Sequence, residues 1–193
     1  VYLYAKSARS DSRIRLPDIR RGQYEGLAEK IIDPEWYPDY GPAEFKPTMG
    51  ATATGARNIL IAYNVNLDTD DKSSANRIAG KLRSSGVLKK NEQGEKIIGD
   101  DGKPERIPGK FESLQAAGWM YNDDIAQVSM NLLDYSVTGL HSVTEAIREE
   151  AAAMGLKVTA GELVGLIPLD AILDAGRYYT ADTGIDDPRI IVD

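Results

Sequence analysis

The amino-acid sequence predicts an α+β fold in which a four-stranded antiparallel sheet carries helices on one face. From Arg57 onward, stretches with two-residue apolar alternation and stretches with helical spacing follow in the order β-α-β-β-α-β, before one extra helix. With right-handed crossovers, this order gives the split βαβ sandwich of the ferredoxin-like class. Apolar residues make up 42% and charged residues 27% of the 193 residues, the balance of a domain with a packed core.

Each element of this second part has its own signal. The apolar run that starts at Ile59 passes into alternation and predicts the first strand. Gly86 and Gly155 mark the ends of two helices, Thr138 is a predicted N-cap, and Pro168 opens the last helix. The predicted strands span 59–67, 111–121, 125–133 and 157–163, and the predicted helices span 69–85, 138–154 and 168 onward. The polar segment 88–107, with turn signals at Gln93-Gly94 and Asp101-Gly102, predicts an exposed hairpin insertion.

Residues 1–56 are predicted to be mostly irregular. Residues 1–4 alternate like a strand already under way, so we expect the chain to be a fragment or a processed product. Apolar spacing predicts one helix over 19–32, which is followed by three prolines within 34–42. A long path without regular structure is typical of a functional or a disordered loop, and its aromatic residues favour an ordered one.

Composition excludes several classes of site. The chain has no cysteine, which removes disulfides, thiolate zinc sites and cysteine nucleophiles, and its single histidine argues against a histidine-rich metal centre. A net charge of −7 disfavours binding to nucleic acid or to an anionic membrane, and an RNA-binding sheet of this topology lacks its aromatic-basic motif. We expect no secretory leader and no metal, and the sequence has no apolar run long enough to span a bilayer.

A set of motifs in order along the chain is similar to one known family. The matching segments are Leu16-Pro17-Asp18-Ile19-Arg20, Tyr24-Glu25-Gly26-Leu27, Pro38-Asp39-Tyr40-Gly41-Pro42, Gly55-Ala56-Arg57, Ile61-Ala62-Tyr63-Asn64-Val65-Asn66-Leu67, Gly118-Trp119, Ala126-Gln127-Val128-Ser129-Met130-Asn131-Leu132, Val137-Thr138-Gly139-Leu140-His141, Glu162-Leu163-Val164-Gly165-Leu166-Ile167-Pro168-Leu169 and Leu173-Asp174-Ala175-Gly176-Arg177-Tyr178-Tyr179. In these segments the chain resembles the formiminotransferase domain of formiminotransferase-cyclodeaminase and glutamate formimidoyltransferase. Residues 185–191 resemble the family's ending only loosely.

The resemblance implies a fold, a reaction and partners. That family has two ferredoxin-like subdomains in tandem with a folate-holding tunnel between them. Residues 1–59 would be the tail of the N-terminal subdomain, and 60–193 the C-terminal subdomain. The implied reaction moves the formimino group from N-formimino-L-glutamate to the co-substrate tetrahydrofolate in histidine degradation. The implied setting is a cytoplasmic homodimer.

The resemblance also implies a folate-binding segment. The family's segment maps without gaps onto Gly41, Pro42, Ala43, Glu44, Phe45, Lys46, Pro47, Thr48, Met49 and Gly50. The chemistry suits a planar ligand with polar edges, because prolines fix the backbone, glycines permit close approach, and Phe45 and Met49 offer apolar contact. The alternative is a rigid linker between domains.

One departure from the family leaves the catalytic residue unknown. The histidine that the family is thought to use as acid/base lies upstream of anything aligned with Val1, and His141 does not match its position. We therefore expect this chain alone to be inactive. The alternative to a transferase is a non-catalytic ferredoxin-like module for ligand binding or oligomerisation.

Several residues allow both a functional and a structural interpretation. His141, in the first turn of a helix, is either a ligand contact or a packing residue. The arginines at 9–21 either gather substrate carboxylates or line a solvated loop, and Arg57 is a candidate anion contact. Glu162, within an apolar strand, must face a cavity, be protonated or be paired. Trp119 and Tyr121 are predicted to be core residues or cross-strand pairs.

Overall fold

The computed structural model describes residues 1–100 and 102–181. The chain divides into two compact units, Val1–Asn58 and Ile59–Asp193. Asp101 of one predicted turn and the segment 185–191 lie outside the described residues. No helix among the described residues is long and apolar enough to cross a membrane.

The first unit contains a two-stranded parallel sheet and two short helices. The opening alternation forms β1 (Tyr2–Ala5), as predicted, and β1 pairs with β2 (Ala53–Ala56), which the sequence did not predict. The helices are α1 (Leu16–Ile19) and α2 (Leu27–Lys30), and single 3₁₀ turns occur at Asp11–Arg13 and Pro34–Trp36.

The single helix predicted over 19–32 is wrong. Gly22 and Gln23 have φ angles of +83° and +50°, and this left-handed backbone cannot continue a right-handed helix. Lys30 joins the two pieces, because its Nζ donates to the carbonyls of Asp18 and Ile19 at 2.9 and 2.6 Å. That ammonium also lies 3.9 Å from the centre of the Trp36 ring, and burial lowers the pKa of Lys30.

The second unit forms the predicted α+β sandwich. Its elements are β3 (Ile61–Leu67), α3 (Lys72–Leu82), β4 (Val87–Leu88), β5 (Arg106–Ile107), β6 (Leu114–Met120), β7 (Ala126–Leu132), α4 (Leu140–Ala152), β8 (Val158–Val164) and α5 (Leu169–Thr180). The four long strands lie in the order β6-β7-β3-β8, and every neighbouring pair is antiparallel. This is the ferredoxin-like order, so the predicted fold class is confirmed.

The core lies between this sheet and its helices. Alternate residues of β6 are buried and exposed, which is the pattern of a sheet with one covered and one open face. The fully buried side chains include Ile61, Val65, Leu67, Ile78, Leu82, Leu114, Val128, Leu132, Val143 and Ile147. Gly118 lets α3 approach β6 closely, because a Cβ at that position would lie 2.5 Å from the backbone nitrogen of Asn76.

Two local predictions have different outcomes. The segment 88–107 forms the predicted hairpin insertion: β4 pairs with β5, and inside the insertion two isolated bridges, Lys90–Lys96 and Ile98–Pro104, pair the middle residues 96–98 with both flanks. The N-cap prediction at Thr138 is wrong, because Gly139 occupies that position with extended backbone angles. The hydroxyl of Thr138 is buried and has no hydrogen-bond partner among the described residues.

Asp71 caps the N-terminus of α3 and gives a pH-dependent prediction. Its carboxylate accepts from the backbone N–H groups of Ser73 and Ser74, and hydrogen bonds, first from the Ser74 hydroxyl, lower the pKa of Asp71 to about 2. Because the pKa is lower in the folded state, this stabilisation is complete above the ordinary value of 3.8 and is lost as the pH falls through about 2. We expect Asp71→Ala to lower the Tm at pH 7, and the difference from wild type to shrink between pH 4 and pH 2 in calorimetric scans.

Asp70→Ala is the matched control, since it removes the same charge one residue earlier, outside the cap. An Asp70→Ala variant with the same Tm loss and pH profile would contradict the cap assignment.

Candidate functional site

The predicted folate segment forms an ordered loop in the first unit, here called the 41–50 loop. Gly41 and Gly50 at its ends have φ angles of +90° and +61°, which a side chain would strain. A turn closes it, because the N–H groups of Met49 and Gly50 both donate to the Lys46 carbonyl at 3.0 Å. The loop therefore has a defined backbone without belonging to a helix or strand.

Tyr24 holds the middle of the 41–50 loop from outside. Its hydroxyl donates to the carbonyl of Pro47 at 2.7 Å, and its ring lies 5.7 Å from the ring of Phe45, at 59°. Phe45 therefore packs against Tyr24 rather than standing free. Sequence reasoning missed Tyr24 as a supporting residue, because a tyrosine 23 positions before the carbonyl that it contacts gives no local signal.

The 41–50 loop lines a cleft of about 270 Å³, here called the loop cleft. Six of the ten predicted residues line it, namely Gly41, Pro42, Glu44, Lys46, Met49 and Gly50, together with Val1, Tyr2, Ile31, Pro38, Tyr40, Ala51 and Thr52. Lys46 and Glu44 bring one charge of each sign, their side-chain atoms 3.9 Å apart, and Met49 is 78% exposed. The cleft thus offers backbone groups, an apolar contact and both charges, which suits a planar polar ligand.

A second cleft of about 250 Å³ lies in the same unit and is called the helix cleft. It is lined by Tyr2, Ile19, Arg20, Gln23, Tyr24, Leu27, Ala51 and Ala53. Ala51 and Tyr2 border both clefts, whereas Thr52 lines only the loop cleft and Ala53 only the helix cleft. Thr52 and Ala53 are thus adjacent in the chain but line different clefts.

A buried ion pair anchors the start of the proline-rich path. Arg13 and Asp39 join Nη1 to Oδ1 at 3.1 Å, and their side chains are only 9% and 3% exposed. Nη2 of Arg13 donates to the carbonyls of Glu35 and Tyr37 at 2.9 and 2.8 Å, while Oδ2 of Asp39 accepts from the N–H of Leu3 at 2.7 Å. Through Asp39 and Arg13 together, this ion pair ties β1 to the residues that precede the 41–50 loop.

The arginines at 9–21 therefore do not act as one group. Arg13 is a buried structural residue, whereas Arg9 is half-exposed, 3.9 Å from Asp39 and over the Tyr40 ring. Arg15 and Arg21 pair with Asp18 on the surface, and Arg20 lines the helix cleft. Arg57 is exposed, donates to the neighbouring Asn58 carbonyl and lines neither cleft.

In the second unit, the open face of the sheet carries a polar cluster of Asn64, Asn66, Gln127 and Glu162, called the amide–carboxylate cluster. Strand register places Asn64 opposite Glu162 on β8, and Asn66 opposite Gln127 on β7. Oε2 of Glu162 accepts from Nδ2 of Asn64 and from Nε2 of Gln127, each at 3.0 Å. Nε2 of Gln127 also donates to Oδ1 of Asn66 at 2.9 Å. Glu162 is thus paired by amides, one of the arrangements that the sequence left open.

Trp119 and Tyr121 are not core residues. They are 60% and 55% exposed, and the core interpretation is wrong because the apolar alternation of β6 buries the other set of residues. Trp119 lies opposite Gln127 on the open face, and its ring centre is 5.2 Å from the Lys72 ammonium.

His141 packs between α4 and α5. Its ring stacks on Tyr178 with centres 4.5 Å apart, and Nδ1 lies 3.7 Å from Oδ2 of Asp174. The next tyrosine, Tyr179, donates to Oε1 of Glu145 at 2.7 Å, and burial followed by this hydrogen bond raises the pKa of Tyr179 to about 12. The surroundings favour the packing interpretation of His141.

Among the described residues, no three His, Asp or Glu side chains are grouped to hold a metal ion.

These features define a class of protein: a ferredoxin-like α+β unit with a polar open sheet face, preceded by a unit whose ordered loop borders a cleft. The family model described as "Formiminotransferase domain" matches residues 62–187, and the model of its N-terminal subdomain matches residues 1–57. The chain belongs to the formiminotransferase domain family.

Relatives with assigned names cover nearly the whole chain. It is 47% identical over 180 residues to formimidoyltransferase-cyclodeaminase of Mus musculus, which covers 93% of this chain and 30% of the mouse protein. It is 38% identical to glutamate formimidoyltransferase of Streptococcus pyogenes serotype M1, over 93% of this chain and 53% of that protein. The protein of the same name from Thermoplasma acidophilum is 35% identical, over 99% of this chain and 56% of that protein. The chain thus spans about a third to about half the length of these relatives.

Proposed function

We propose that the protein is a glutamate formimidoyltransferase that moves the formimino group of N-formimino-L-glutamate to tetrahydrofolate. The observation that carries this proposal is the match to both parts of the formiminotransferase domain in chain order, with relatives named for this transfer at 38% and 35% identity. The loop cleft supports it, because six residues of the predicted folate segment line one space.

The transfer needs two oriented substrates and proton transfer. N5 of tetrahydrofolate attacks the formimino carbon, and the bond from that carbon to the glutamate nitrogen then breaks. The departing nitrogen gains a proton, N5 loses one, and glutamate is released. Holding both substrates in line supplies much of the rate, and acid/base assistance typically contributes about 10²–10⁴-fold. The resemblance assigns the acid/base role to a histidine that no position of this sequence matches.

The 41–50 loop would hold the pterin part of tetrahydrofolate. Pterin edges carry both donors and acceptors, and backbone fixed by Pro42 and Pro47 presents such groups without an ordering cost. The ammonium of Lys46 would attract the glutamate carboxylates of the folate tail. A role in histidine degradation, a cytoplasmic location and a homodimer remain predictions from the resemblance.

The test is a transfer assay with N-formimino-L-glutamate and tetrahydrofolate, in which released glutamate is measured by mass spectrometry. It uses the intact protein, meaning the protein with the acid/base histidine that the resemblance implies. We expect glutamate release that depends on tetrahydrofolate. Tetrahydrofolate binding without any release, by a protein that includes the upstream histidine, would instead favour the non-catalytic binding module.

The tyrosine behind the 41–50 loop gives a specific prediction. Tyr24→Phe removes the hydrogen bond to the Pro47 carbonyl but keeps the ring against Phe45. Because a single neutral hydrogen bond is worth about 0.5–1.5 kcal/mol, we expect the KM for tetrahydrofolate to rise about two- to tenfold while kcat changes little. Steady-state kinetics with varied tetrahydrofolate measures this.

Tyr37→Phe is the control, since Tyr37 is 48% exposed and among the described residues its hydroxyl has no hydrogen-bond partner. Equal KM values for Tyr24→Phe and wild type would rule out the proposed role of this contact.

A further inference from the structure

We propose that Glu162 binds a substrate through the planar pair of N–H donors of an N–C–N group, and this inference rests on the proposed function. The amide–carboxylate cluster holds one oxygen of Glu162 and leaves the other available. Both amide donors, from Asn64 and Gln127, converge on Oε2. Within the described part of the chain, Oε1 accepts no hydrogen bond and is not among the buried atoms without a partner, so water or a ligand can reach it.

The charge of Glu162 has no cationic partner in this arrangement. Among the described residues, no Lys, Arg or His nitrogen lies within 4.0 Å of its carboxylate. Its neighbours on the open face are neutral: Asn64 lies opposite it on β3, and Ser129 follows on β7 in the same row. A half-buried carboxylate held only by neutral amides favours a cationic or N–H-donating ligand, because charge-assisted hydrogen bonds are about twice as strong as neutral ones.

The cluster is also fixed before any ligand arrives. Gln127 is 3% exposed and Asn66 is 8% exposed, and Nε2 of Gln127 bonds both Oδ1 of Asn66 and Oε2 of Glu162. All four residues project from the central strands and the edge strand of one sheet rather than from loops. A carboxylate held in this way loses little side-chain freedom on binding, which strengthens recognition.

Both substrates of the proposed reaction carry a matching group. The formimino group of N-formimino-L-glutamate is an amidine, whose two nitrogens donate in one plane and which is a cation when protonated. The pyrimidine edge of tetrahydrofolate presents a ring N–H beside an amino group. A carboxylate accepts from two such parallel donors, as it does from the fork of an arginine.

The test uses Glu162→Gln in the intact protein. The variant keeps the side-chain shape, and its carbonyl oxygen can still accept the hydrogen bonds from Asn64 and Gln127. Its NH₂ group, which donates and does not accept, then takes the place of the other carboxylate oxygen. We expect the KM for one substrate to rise about ten- to a hundredfold while the other KM stays unchanged. A rise for N-formimino-L-glutamate assigns the amidine, and a rise for tetrahydrofolate assigns the pyrimidine edge; either supports the proposal.

Binding without turnover separates this proposal from the proposed function. N-formimino-L-glutamate and 5-methyltetrahydrofolate, whose N5 is blocked, are titrated alone and together, and the Gln127 side-chain amide signals are followed by NMR. Shifts in wild type that are absent in Glu162→Gln support the site even if no transfer occurs. Unchanged KM values and identical titrations for the two proteins would overturn it.

Two further variants keep the result interpretable. Glu149→Gln makes the same charge change at a side chain on α4 that is 71% exposed, and it should leave both KM values unchanged. Glu162→Asp keeps the charge but withdraws it by one methylene, and it should weaken the same substrate as Glu162→Gln does. If Glu162→Gln does not fold, Glu162→Asp decides: a folded variant with wild-type KM values overturns the proposal.

Discussion

Replacing Arg13 with alanine is expected to destabilise the Val1–Asn58 unit by about 3–5 kcal/mol and to lower its urea midpoint strongly. The change removes the partner of a carboxylate that is only 3% exposed, together with two hydrogen bonds to the carbonyls of Glu35 and Tyr37. Breaking a buried pair by removing one partner costs about 3–5 kcal/mol, because the remaining charge is left without compensation. That is a large fraction of the roughly 5–15 kcal/mol by which a whole domain is stable.

Tryptophan fluorescence can follow this unit alone. The chain has two tryptophans, Trp36 in the first unit and Trp119 in the second, so a Trp119→Phe background reports only the first unit during urea unfolding. Arg9→Ala is the matched control, because Arg9 faces the same Asp39 at 3.9 Å but is 53% exposed. An exposed pair is worth about 0–1 kcal/mol. Equal urea midpoints for the Arg13→Ala and Arg9→Ala variants would show that the buried pair does not anchor the unit.

Filling the loop cleft is expected to weaken the binding of tetrahydrofolate strongly. Thr52→Trp places an indole at a residue that lines only the loop cleft. If tetrahydrofolate binds there, its KM should rise at least about a hundredfold, equivalent to about 2.8 kcal/mol of lost binding. Thr52 is exposed, so the substitution should leave the Tm close to that of wild type.

Ala53→Trp provides the comparison, since the neighbouring residue lines only the helix cleft. It adds the same indole one residue further along the chain and should leave the KM for tetrahydrofolate within about threefold of wild type, a change of less than 1 kcal/mol. If Ala53→Trp is the more damaging variant, the ligand belongs in the helix cleft. Unchanged kinetics for both variants would remove the 41–50 loop from the binding site.

The sheet of the second unit was predictable because burial on one face imposes a two-residue period. The four strands were therefore placed to within a few residues, and Gly86, Gly155 and Pro168 marked helix boundaries. β2 escaped prediction because all four of its residues are exposed, which leaves no apolar alternation to detect. The break in the predicted helix at Gly22 and Gln23 depends on backbone angles that the apolar spacing of 19–32 does not reveal.

The candidate site was predictable in part. The resemblance and the proline pattern singled out the 41–50 loop, and Glu162 stood out as a charge inside an apolar strand. The partners of Glu162 could not be predicted, because Asn64 is 98 positions away and only strand register brings the two together. For the same reason Arg13 was grouped with the exposed arginines, because its buried partner Asp39 is distant in the sequence.

One isotope-transfer experiment tests the central claim most directly. The intact protein is mixed with tetrahydrofolate and N-formimino-L-glutamate labelled with ¹³C at the formimino carbon, and the labelled carbon is followed by NMR. The proposed function predicts that the label appears bonded to N5 of the folate, with one glutamate released for each label moved. Label that stays on glutamate, although the protein contains the upstream histidine and binds both substrates, would contradict the claim that this is a formimidoyltransferase.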